Sequence, residues 1–137
     1  MIYYIIKGVD DMKYIKIFLG LFNSAIGYLL GGFDTMLISL LIFMIIDYIT
    51  GIIKAIIDKK LSSKIGYIGI CKKFLILFVI VISTILDRIT GLDNSIRYLV
   101  IGFYLANEGL SILENTVEIG IPVPEKIKDI LNNINEE

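Results

Sequence analysis

Asp47, Gly51, Lys54 and Asp58 recur at spacings of four, three and four residues within DYITGIIKAIID. On a helix that spacing puts them on one stripe. The isoleucines around them are apolar enough to enter a bilayer, and ionisable groups at membrane depth face a protein interior or water and mark function. Further along, Asp87 and Arg88 close one apolar run and Arg97 opens another, and Glu108, Ser111, Glu114 and Asn115 follow at helical intervals. The chemistry these residues offer is ion pairing, hydrogen bonding and the wetting of a lumen. Bond-making is poorly supplied. Histidine is absent and Cys71 is the one cysteine, which argues against a His-based triad, bis-histidine haem and most zinc sites. A lone cysteine cannot close an intrachain disulfide and reads as a small buried apolar residue. With no phosphate loop or nucleophile elbow, the expectation is a non-enzymatic protein without catalytic residues, cofactor or metal.

The elements that must position these residues are hydrophobic. The chain has 137 residues, 56% of them hydrophobic and 20% charged, with a mean hydropathy of +0.81. An ordinary soluble domain is about 45–50% apolar with about 25% charge. Here the excess sits in long runs, the membrane pattern, and a net charge of −1 supports no nucleic-acid partner. Residues 1–14, with Tyr3, Tyr4, Tyr14 and Lys7, suit a membrane interface, and Met12 offers a second translation start. Residues 15–57 read as a helical hairpin turned at Gly31-Gly32, with Gly20, Ser24 and Gly27 spaced for close helix approach. Residues 58–73 form a lysine-rich link whose Lys59, Lys60, Lys64, Lys72 and Lys73 are expected to face lipid headgroups. Residues 74–119 hold a third helix, short at Phe74–Leu86, and a fourth that is apolar on one side and carboxylated on the other. Gly120-Ile121-Pro122-Val123-Pro124 ends the fourth. A short amphipathic tail helix follows, with Ile127, Ile130, Leu131 and Ile134 on one stripe.

The expected fold is an all-α integral membrane protein with four transmembrane helices, or three if the first lies in the interface. Four spans with both termini cytoplasmic leave ten lysines inside against Arg88 and Arg97 outside, as the positive-inside rule requires. Asp47, Lys54, Asp87, Arg88, Arg97 and Glu108 are expensive for one subunit to bury alone. With Gly51, Ser111, Glu114 and Asn115 they are therefore expected to line a pore or to meet between subunits of a homo-oligomer. Pairing of Asp47 within its own bundle, with Lys54 or another subunit's cation, is the competing reading.

Several motifs occur in a fixed order: Asp47-Tyr48-Ile49-Thr50-Gly51 with Lys54-Ala55, Leu61-Ser62-Ser63 with Gly66 and Gly69, Lys72-Lys73, Leu86-Asp87, Asn107 through Asn115, and Gly120 through Pro124. In these the chain resembles the clostridial toxin-secretion and phage-lysis holin family, from about Asp47 to the C-terminus. The resemblance implies a small protein of the bacterial cytoplasmic membrane that accumulates, oligomerises and opens a lesion. Its partners would be membrane lipid, further copies of itself, and a cargo of phage endolysin or large toxin. A small proton-coupled cation exporter built around Asp47, and an antiholin or structural membrane subunit, are the alternatives.

Overall fold

The computed structural model describes residues 2–127 and 129, with side chains described for 12–64, 66–127 and 129. Four helices follow one another: α1 (Ile2–Leu30), α2 (Thr35–Ile57), α3 (Ser63–Thr90) and α4 (Ser95–Glu118). No strand occurs among the described residues. Thr35–Ile57, Gly66–Thr90 and Ser95–Glu118 are long and apolar enough to cross a membrane. The 23 residues of α2 rise about 35 Å, enough for a hydrocarbon core of about 30 Å. Over its described residues α1 is not among them; Lys13, Lys16, Asn23 and Ser24 dilute the apolar run there.

Each spanning helix has an inward stripe at helical spacing. On α2 it begins with Leu37, Leu40 and Met44, on α3 it includes Ile76 and Ile80, and on α4 Ile101. These side chains, joined by Leu30 from the end of α1, form the core. Most other large apolar side chains point outward, Ile89 at 75% and Leu99 at 73% exposure among them. For helices of this length an apolar exterior around a small core is the pattern of a lipid-facing bundle.

Two expectations change. Helix α1 docks mainly on α3 rather than folding back along α2. Its last turn is held there by Arg88, which donates to the Tyr28 carbonyl and lies 3.9 Å above the Tyr28 ring. Gly20 has open space around it and Gly27 meets only Phe33, so the small residues of α1 receive no neighbouring helix in the single chain. The third helix is also not short. It runs 28 residues, through Lys64, Lys72 and Lys73, and the non-helical link shrinks to 58–62. Adjacent lysines do not break a helix when one of them finds counter-charges inside the bundle.

At the C-terminus residues 125–127 are helical, as expected after Pro124. The rest of the proposed tail stripe, Ile130, Leu131 and Ile134, lies outside the described residues, as do the side chains of Tyr3, Tyr4 and Lys7.

Candidate functional site

The inward stripes do not stay apolar. Asp47 comes three residues beyond Met44 on α2, Glu108 seven beyond Ile101 on α4, and Lys73 three before Ile76 on α3. The three side chains meet. The Lys73 ammonium donates to the Asp47 carboxylate at 2.6 Å and to the Glu108 carboxylate, one ion cluster joining all three spanning helices. The side chains of Lys73, Asp47 and Glu108 are only 18%, 15% and 7% exposed. Asn115 extends the network, its amide donating to Asp47 at 3.3 Å and to the Thr50 hydroxyl at 3.2 Å. A Cβ at Gly51 would make only ordinary contact with that amide, at 3.7 Å. Nearer the end, Lys54 pairs with Glu118 in a more exposed bridge.

A second polar layer lies at the other end of the bundle. Arg97 is fully buried, its guanidinium donating to the Leu30 carbonyl at 2.6 Å, the Gly32 carbonyl at 3.0 Å and the Asp34 carboxylate at 2.5 Å. Asp34 also caps α2 by accepting from the Leu37 amide at 2.9 Å. Burial works to raise its carboxyl, but the hydrogen bonds from Arg97 and Leu37 and the Arg97 charge outweigh it and hold the group below its ordinary value. Asn94, the residue before α4, makes no side-chain cap. Asp87 of α3 does that work instead, accepting from the Ile96 and Arg97 amides at 3.0 and 2.8 Å. Its negative charge sits at the positive end of the α4 dipole.

Among the described residues no buried side-chain nitrogen or oxygen lacks a hydrogen-bond partner. That changes the reading of several residues. Asp47, Arg97 and Glu108 each have an ion-pair partner within the single chain, and Asp87 accepts from two amides of α4. Lys73 leaves the headgroup set; adjacent residues on a helix point about 100° apart, so it turns inward while Lys72 stays exposed. Lys59 and Lys60 are exposed at the link, and Lys64 in the first turn of α3. Arg88 is taken up by Tyr28. Ser111 lies beside the cluster on the wall of a groove, and Glu114 is half-buried without an ion pair among the described residues. Asp34 lies outside the residues that the sequence singled out, and Tyr48, named there only within a family motif, had no contact assigned to it. Asp34 had a readable signal, an Asp immediately before an apolar run. Tyr48 did not: its ring packs over Gly69 and its hydroxyl over Gly66 of α3, a contact only the tertiary structure reveals.

Between the two polar layers Leu37, Leu40, Ile80 and Ile101 are wholly excluded from solvent. They seal the bundle axis, so a single copy holds no lumen. On the cluster's flank, between α3 and α4, an open groove of about 760 Å³ exposes Asp47, Lys72, Lys73, Asn107, Glu108 and Ser111 alongside apolar side chains. Among the described residues there is no group of three or more metal-ligating side chains. The arrangement is suited to holding helices together through charge and to presenting a few polar side chains on the flank of the spanning helices.

The family model for bacteriophage holins matches residues 24–136. The chain belongs to the bacteriophage holin family. It is 39% identical over 98 residues to a "Probable holin" of Bacillus phage phi105, covering 72% of this chain and 73% of that one. An uncharacterised 14.9 kDa protein from the nagH 3′ region of Clostridium perfringens is 43% identical over 129 residues, 92% of this chain and 96% of the relative. The uncharacterised protein Lmo0128 of Listeria monocytogenes is 44% identical over 110 residues, 80% of this chain and 79% of that one. No solved structure matches. The family resemblance read from the ordered motifs thus holds, and with three membrane-length helices it makes this holin-family chain a multi-pass membrane protein.

Proposed function

We propose that this protein is a non-enzymatic pore-former of the bacterial cytoplasmic membrane, whose copies gather and open a lesion that releases an endolysin or a large clostridial toxin. The observation that carries this reading is the charged cluster of Lys73, Asp47 and Glu108 within the membrane-length helices, opening on one side into a groove of mixed polar and apolar lining, in a chain of the holin family. Polar groups at that depth are retained where they face protein or water. Because apolar side chains seal the centre of one copy, the lesion is assigned to the space between copies, with the polar side of α4 turned toward it. Pairing of the charges within each copy allows the chain to enter the membrane singly and accumulate before assembly.

The pure protein in vesicles should release a trapped dye, with leakage rising more steeply than linearly in protein density. Vesicles that stay tight at high density would overturn the proposal. Transport of a small organic cation against a proton gradient, with the dye retained, would favour an exporter instead. A trapped folded protein of endolysin size, released together with the dye, would support the cargo assignment.

A further inference from the structure

Along the groove between α3 and α4 the lining changes character in one direction. Toward the lysine-rich end of the bundle it carries Lys72, Asn107, Ser111 and the Asp47 and Glu108 carboxylates. About one to two helical turns further into the span it is formed by Ile76, Val79 and Tyr104. The charges balance in number, Lys72 and Lys73 against Asp47 and Glu108, but they are laid out unevenly. Lys73 is shared by both carboxylates. Lys72, early in the span Gly66–Thr90, is exposed and makes no ion pair among the described residues. Helical side chains lean toward the helix N-terminus, which for α3 is the lysine-rich end, so a lysine at 72 reaches back toward headgroup level. In a chain surrounded by lipid, such a surface complements a molecule that is neutral overall, carries both signs of charge at one end and is apolar at the other.

We infer that the groove is a binding site for one phospholipid with a zwitterionic, primary-amine headgroup, phosphatidylethanolamine. Its phosphate pairs with Lys72. Its ammonium donates to Glu108, with the side-chain oxygens of Asn107 and Ser111 beside it, and one acyl chain runs over Ile76 and Val79. Charge balance selects the headgroup. An anionic lipid would leave the groove with a net negative charge where the dielectric is low. A choline headgroup keeps the balance but has no N–H to donate, so the oxygens lining the groove would go without that partner. The site belongs to a dispersed copy and needs only a chain embedded in lipid, so it stands apart from the pore-former reading.

The chain has no tryptophan, so one introduced indole reports alone. Val79→Trp puts it at the apolar end of the groove, and Phe78→Trp, the preceding residue of α3, puts it at the same depth outside the groove. Each full-length variant is reconstituted at low protein density in phosphatidylcholine vesicles. These carry a small fraction of phosphatidylethanolamine, phosphatidylglycerol or phosphatidylcholine with brominated acyl chains, which quench indole on contact. At 79 the brominated phosphatidylethanolamine should be favoured over brominated phosphatidylcholine by about fivefold, the contribution of one further hydrogen bond. At 78 the three lipids should quench alike. Adding Lys72→Gln should bring 79 to parity, and Lys72→Arg should keep the preference. Glu108→Gln leaves two cations against one carboxylate and should turn the preference toward phosphatidylglycerol. Lys72 is exposed, so circular dichroism of its variants should match that of the parent.

Equal quenching by the three lipids at 79 would overturn the inference, as would a preference that survives Lys72→Gln. Preference for phosphatidylglycerol without any change at 72 or 108 would make Lys72 a plain anion site and overturn it too. So would an indole at 79 that no brominated lipid reaches while 78 is quenched, because protein rather than lipid would then fill the groove. Dye release from the same vesicles scores the pore-former reading separately.

Discussion

Lys73 is the single cation between two nearly buried carboxylates, so its loss and theirs are not equivalent. Lys73→Ala leaves Asp47 and Glu108 facing each other uncompensated and should lower stability by about 3–5 kcal/mol, measured by denaturant unfolding in micelles. Glu108→Gln keeps a one-to-one pair with Asp47 and should lower it less; the reverse order would refute the assignment of Lys73 as the shared counter-ion. Asp34 makes a prediction in pH. Its carboxyl is held below its ordinary value in the folded chain, so its contribution is present above the unfolded value of about 3.9. That contribution is lost as pH falls further, through the folded value. The unfolding midpoint should therefore drop below pH about 4, and Asp34→Asn should flatten that part of the profile. The sequence marked Asp47, Arg97 and Glu108 as groups needing partners, because charge in an apolar run is visible in one dimension. It did not identify the partners: Lys73 lies 26 and 35 residues from its carboxylates, and Arg97 63 residues from Asp34.

At the scale of elements the turn between α1 and α2 depends on glycine. Gly31 has φ +79° and a Cβ there would meet Arg97 Nε at 2.7 Å, whereas Gly32 has φ +103° and nothing within 4 Å. Both alanine substitutions carry backbone strain of about 1–2 kcal/mol. Gly31→Ala should add about 1–3 kcal/mol of overpacking against Arg97, so the difference between the two variants isolates the clash. Equal losses would mean that Arg97 moves aside freely. The same packing logic explains why Gly66 and Gly69 recur in α3, where the Tyr48 ring lies 3.3 Å from a Cβ at Gly69. Apolar runs and helix breakers located α2 and α4 well. They underestimated α3, because lysines read as the end of a span when nothing in the local sequence shows that one of them turns inward.

For the whole molecule, the lysine-rich link and the Asp93 turn should lie on opposite sides of the membrane. In a Cys71→Ser background, an impermeant maleimide added outside intact cells should label Asp93→Cys and spare Lys60→Cys until the membrane is opened. The opposite pattern would invert the topology drawn from the lysine bias. By itself the sequence determined the material of the protein: helical, membrane-embedded, without histidine chemistry, and of the holin family through its ordered motifs. Those properties are set by composition, periodicity and local motif, which need no knowledge of distant contacts. Only the tertiary structure decided that the buried charges are satisfied inside one chain, that Asp87 caps α4, and that α1 leans on α3. The reason is physical: a charge specifies that a partner must exist, but which of several candidates lies within hydrogen-bonding distance depends on how the helices rotate and pack about a shared apolar core.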